Sequence, residues 1–119
     1  MDSSGKANAL PASPARATSA LRVRPLADRP GWQAAGEISL TTRPAWEQTL
    51  YQFAMSDEEV FHLELSAVTF VDVAGVSALA VTAQDLPEGR RIVLEEPPAA
   101  LRRVLDMFWP NLPTVEVVA

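Results

Sequence analysis

A single histidine, His62, and the absence of cysteine set the range of chemistry open to this sequence. Without thiols there are no disulfides, no thiolate metal sites and no cysteine nucleophile. A zinc site built on His62 would need all its other ligands from carboxylates, a donor set zinc rarely accepts. A Ser-His-Asp arrangement would also have to use His62. That residue falls mid-strand beside Glu64 with no elbow-like serine nearby, and reads as a solvated or hydrogen-bonded strand side chain. "DEE" at Asp57 to Glu59 reads as a solvated loop, and "EGRR" as a turn followed by two charges rather than a phosphate-binding loop. We therefore expect no catalytic residue, no metal and no cofactor, and a protein that is not an enzyme.

The stretch that does stand out is "FVDVAGVSALA", Phe70 to Ala80. A strand-like run meets an acidic residue, a small residue and a glycine, and then continues as a helix-like run. Asp72 fits the residue before a helix, where its carboxylate accepts hydrogen bonds from free N–H groups of the first turn. Its charge also suits the positive end of the helix dipole. Gly75 lets another backbone or a partner approach closely.

Composition bounds the rest. The chain has 119 residues, room for one compact domain and a tail. Hydrophobic residues make up 48%, enough for a core, and the net charge of −5 argues against a nucleic-acid surface. No segment approaches the roughly 18 apolar residues of a membrane span, and the start lacks the apolar stretch of a secretory signal. A cytoplasmic location without membrane insertion is expected. Residues 1–20, rich in Ser, Ala and Pro without periodicity, read as a disordered tail. The domain is expected over residues 21–119.

Within it, "LRVRPL" alternates as a half-buried strand, and a second strand covers about Trp32 to Ile38. A helix follows, capped by Thr41 or Thr42 with Pro44 in its first turn. Its stripe is Trp46, Leu50 and Phe53. "VFHLELS" returns to period two, with Phe61, Leu63 and Leu65 on one face and Val60, His62 and Glu64 on the other. A helix from about Ala74 to Asp85 turns Val76, Leu79, Ala80 and Ala83 inward. "RIVLEE" is a strand, Pro97 and Pro98 open a helix with the stripe Leu101, Val104, Leu105 and Phe108, and "TVEVV" is the last strand. Phe70 also joins the expected core.

Strands alternating with helices imply parallel pairing and right-handed crossovers. A sheet covered on both faces reads as continuous apolar runs, yet here Arg22, Arg24, His62, Glu64 and Glu116 recur at alternate positions. The expected fold is α/β. It has a mixed or parallel sheet of about five strands, and about three helices mainly on one face, in the order β-β-α-β-α-β-α-β.

In order and spacing, "GEISLTTRPAWEQTL", "HLELSAVTFVDVAGVSALA" and "PPAALRRVLDMFWPNLPTVEVV" resemble a STAS domain, the fold named for sulphate transporters and anti-sigma factor antagonists. The resemblance covers about Leu21 to Ala119. In its bacterial anti-sigma antagonist branch, the strand-to-helix turn usually reads Asp-Ser-Ser-Gly. The hydroxyl before the glycine is phosphorylated by the partner anti-sigma factor, a protein kinase, and phosphorylation ends the interaction.

This chain reads Asp72-Val73-Ala74-Gly75, so the phosphoacceptor position falls on Ala74, which has no hydroxyl. An aspartate common after "GEI" in the family falls on Ser39. The resemblance thus implies a non-enzymatic protein-interaction module in transcription regulation, binding an anti-sigma factor or other ATPase-fold protein but lacking the phosphoserine switch. A second implied reading is a STAS subunit of another assembly, such as an ABC-transporter accessory protein or a stress-signalling complex. The expected docking residues are Ser39, Thr41, Thr42, Asp72, Val73, Ala74, Gly75, Val76 and Ser77. Ser77 and Thr69 are the alternative phosphosites, and a homodimer stays open.

Overall fold

The computed structural model describes residues 20–118, so the reading of residues 1–19 as a tail lies outside the described residues. The elements are β1 (Leu21–Pro25), β2 (Gly31–Ile38), α1 (Arg43–Ala54), β3 (Val60–Val71), α2 (Val73–Gln84), β4 (Arg91–Glu95), α3 (Ala99–Phe108) and β5 (Val115–Val118). This is the order read from the sequence.

The five strands form one sheet in the order β1-β2-β3-β4-β5. β1 and β2 are an antiparallel hairpin, whereas β2, β3, β4 and β5 run parallel. Each parallel pair is joined by a helix, as parallel strands require. α2 lies between α1 and α3 in the helical layer, packed on both. Among the described residues, no helix is long and apolar enough to cross a membrane.

The core lies between that layer and one sheet face. Ala34, Phe61, Leu63, Leu65, Ile92 and Leu94 come from the sheet, and Trp46, Leu50, Phe53, Val76, Leu79, Leu101 and Leu105 from the helices. Phe53 and Phe61 stack with ring centroids 4.4 Å apart, and the Arg90 guanidinium lies 4.6 Å from the Phe53 centroid. Arg90 also donates to the Phe53 and Glu58 carbonyls at 2.8 and 2.9 Å. It thereby serves the C-terminal end of α1, a role not visible in "EGRR".

Two expected core residues are on the surface. Phe70 is 49% exposed and Phe108 59%. The register of β3 against β2 shifts twice, between Gln33 and Ala35 and between Gly36 and Glu37. Each shift inserts one extra residue in β3, so the first brings Val68 onto the helix side and the second restores the parity of Phe61, Leu63 and Leu65. Val71 then packs on the core, and Phe70, at an alternate position and paired with Glu37, lies on the face away from the helices. Phe108 ends α3, and Trp109, half-buried against the core and edge-on to Phe108, takes the inner place.

Gly36, which made β2 look weak, has a positive φ of 116°. A Cβ there would lie 2.1 Å from the Ala20 carbonyl oxygen, so only glycine admits the neighbouring strand's backbone.

The other sheet face is polar but not bare. Val93, between His62 and Glu116 in register, is buried on it. In the β1–β2 loop, Arg29 donates to both carboxylate oxygens of Glu95, and the His62 Nδ1 lies 2.7 Å from Glu95 Oε2. Of the two roles expected for His62, solvated or hydrogen-bonded, the residue has the second. Its partners come from a loop and from β4, so only the register brings them together.

Candidate docking surface

β2 and β3 are parallel, so the segments following them leave the sheet at the same edge. The Asp72 N–H donates to the Ile38 carbonyl at 3.0 Å, which ties the last residue of β2 to the residue before α2. Ser39 to Thr42 and Asp72 to Ser77 are thereby held side by side.

Asp72 caps α2 as expected. Its Oδ1 accepts from the Gly75 N–H at 2.7 Å, with extended backbone at Asp72. Thr42 occupies the position before α1 but does not cap it through its side chain. Its hydroxyl donates to the Glu37 carbonyl at 2.7 Å and accepts from the Ser39 N–H at 2.8 Å. It closes the β2–α1 loop on itself. Pro44 lies in the first turn of α1, where its missing N–H costs nothing. Ser39 Oγ and Thr41 Oγ1 lie 3.2 Å apart at the surface.

Gly75 is needed by the protein itself. A Cβ at this position would lie 2.6 Å from Ile38 Cγ2 and 3.2 Å from Val71 Cγ2. The Gly75 carbonyl accepts from the buried Trp46 indole Nε1 at 2.9 Å. The close approach the glycine permits is thus made by β2, β3 and α1. Of the nine expected surface residues, Gly75 and Val76 lie beneath it, Val76 with no exposure at all. The helical period explains this: Val76, Leu79, Ala80 and Ala83 form the inner stripe of α2.

The remaining seven are exposed or half-buried. Val73 is 57% exposed, and Leu40, unremarked in the sequence, is more exposed still. Ala74 and Ser77 are half-buried and line a groove of about 640 Å3 between α1 and α2. Thr69 is exposed on β3, where its hydroxyl donates to the Gly36 carbonyl at 3.2 Å. Asp57, Glu58 and Glu59 are exposed. No group of three or more His, Cys, Asp or Glu among the described residues could hold a metal ion.

The arrangement is an exposed edge: a helix N-terminus with its cap filled, two exposed aliphatic side chains and several hydroxyls. A mixed sheet of this order, with three helices on one face and such an edge, defines the STAS class. The family model described as "Mlab, STAS domain" matches residues 26–108, and the chain belongs to this family. Two solved structures share the fold. An anti-sigma factor antagonist from Mycobacterium paratuberculosis is 24% identical with a TM-score of 0.66, over 82% of this chain and 83% of that one. The anti-sigma factor antagonist SpoIIAA in its unphosphorylated form is 18% identical with a TM-score of 0.55, over 83% of this chain and 88% of that one. No curated protein matches the chain.

Proposed function

We propose that this STAS domain is a non-enzymatic cytoplasmic docking module for an anti-sigma factor or another ATPase-fold protein, without phosphate control. The carrying observation is Ala74. It stands two residues after the capping Asp72, at the accessible start of α2, and offers a methyl group where a switch needs a hydroxyl. A phosphate there would add close to two negative charges beside Asp72. Ala74 can neither accept nor imitate one, so the partner would always meet the unphosphorylated surface. The docking residues are Ser39, Thr41, Thr42, Asp72, Val73, Ala74 and Ser77. A STAS subunit of another assembly, such as an ABC-transporter accessory protein, suits the missing hydroxyl equally, because such an assembly needs no switch.

The test is the Ala74→Glu variant against an anti-sigma kinase from the same cell. An acidic residue in the first turn suits the helix dipole, so stability should change by no more than about 1 kcal/mol. Binding should weaken several-fold through like-charge crowding with Asp72. Incubation of the wild type with that kinase and ATP should leave the turn unphosphorylated. Phospho-Ser77 or phospho-Thr69 with loss of binding would instead reveal a displaced switch. Unchanged binding by Ala74→Glu would move the docking surface elsewhere.

A further inference from the structure

α2 is an interior-type helix with an uncovered side. From Val73 to Gln84 it contains no charged residue. A helix apolar all round is normally buried all round. Yet Val73 is 57% and Val81 48% exposed, and Ala74 and Ala78 line the groove shared with α1. On the α1 side, the exposed Tyr51 and Ala54 stand on the rim, with the buried Leu50 deeper.

The charges on the groove are ordered. α1 and α2 start at the same sheet edge, because β2 and β3 are parallel. Arg43 is the first residue of α1, and Asp85 follows the last residue of α2, so they mark opposite ends of the groove. The Arg43 Nε is buried with no hydrogen-bond partner among the described residues. Among those residues Arg43 makes no ion pair either. Asp85 likewise has no basic partner among them.

We propose that a second copy of this chain covers the groove, with the two α1–α2 faces packed antiparallel about a two-fold axis. A two-fold interface must be self-complementary. A groove with a cation at one end and an anion at the other meets that condition: turned end for end, Arg43 of one copy faces the Asp85 end of the other. Val73, Val81 and Tyr51 of each copy then bury against the opposing apolar floor. Glu47, the third charge on the groove, leaves it with one more acid than base. Apolar burial therefore drives association, and the Arg43–Asp85 pairing sets its direction. Two helices of 12 residues present a face about 18 Å long and about 20 Å wide. That footprint, about 360 Å2 per copy and about 720 Å2 in total, is smaller than a standard interface and fits only a weak, dissociable dimer.

Ala74 and Ser77 belong both to this face and to the docking residues, so dimerisation and partner docking exclude one another. That consequence rests on the proposed function; the dimer does not, and its test needs no partner. Sedimentation equilibrium of the full chain from about 5 to about 500 µM should show the mass rising toward twice that of the monomer. Arg43→Asp and Asp85→Arg should each weaken the dimer at least about five-fold, and the double variant should restore it. Val81→Glu, at an exposed position, should yield a folded monomer by circular dichroism. A monomer at every concentration would overturn the inference and leave the face to a different protein. A dimer unaffected by Val81→Glu, or a double variant no tighter than the single ones, would overturn it equally.

Discussion

The indole of Trp46 donates its single N–H to the carbonyl of Gly75, Nε1 to oxygen 2.9 Å, 29 residues away in the chain. Both groups are buried, so neither has water as an alternative. The bond joins α1 to the first turn of α2 and fixes how the two helices sit against each other at the sheet edge. Trp46→Phe keeps most of the apolar contact but leaves the carbonyl without this donor. We expect a loss of about 1–3 kcal/mol in urea unfolding, from the lost hydrogen bond and the smaller ring together. A loss within experimental error would mean that another donor takes over.

Gly75 and Ile38 should be coupled. Gly75→Ala places a methyl 2.6 Å from Ile38 Cγ2, an overpacking that should cost about 1–3 kcal/mol. Ile38→Ala removes the obstructing atom and alone should cost about 2–5 kcal/mol as a cavity. The double variant should be more stable than the sum of the two costs allows. Strict additivity in equilibrium unfolding would show that the clash is relieved some other way.

The two faces of the sheet should respond differently. Leu63 is wholly buried, whereas Phe70 is half exposed on the opposite face. Leu63→Ala should cost about 2–5 kcal/mol. Phe70→Ala should cost clearly less, although phenylalanine is the larger side chain. Equal costs from denaturant titrations would mean that Phe70 is covered in solution.

Acid stability should depend on Glu95. The Arg29 guanidinium holds its carboxyl below the usual 4.5 against the opposing effect of partial burial, and His62 adds to the lowering. A carboxyl with a depressed folded pKa stabilises the fold above its unfolded pKa. That contribution disappears as pH falls through the folded value. The wild-type thermal midpoint should therefore drop below about pH 4.5 more steeply than that of Glu95→Gln. Parallel curves for the two proteins would count against a stabilising Arg29–Glu95 pair.

Periodicity made most of this fold legible. The stripes Trp46, Leu50, Phe53 and Val76, Leu79, Ala80, Ala83 are all buried, because helices repeat regularly over 12 residues. The strands obeyed the same logic, and β3 departs from it only between its two register shifts, where Val68 turns inward. That leaves no mark in the period of "VFHLELSAVTFV", because a bulge depends on the partner strand. Phe70 is opposite in parity to Phe61, Leu63 and Leu65, so alternation itself placed it away from the core, and only its aromatic character suggested otherwise. The capping role of Asp72 was readable because the contact spans three residues. The reason for Gly75 was not, since it depends on a β2 methyl 37 positions earlier. Arg29, His62 and Glu95 were illegible together for the same cause, the pairings being 33 and 66 residues apart.

Two adjacent positions at the start of α2 live under different regimes. At Gly75 a single added carbon presses on side chains of β2 and β3, so any other residue there strains the fold. At Ala74 the side chain lines an open groove. A hydroxyl, a carboxylate or a methyl can occupy that place while the fold beneath stays the same. Position 74 can therefore change its chemistry without disturbing the scaffold: the single substitution Ala74→Ser would set a hydroxyl on the groove while the glycine beside it stays fixed.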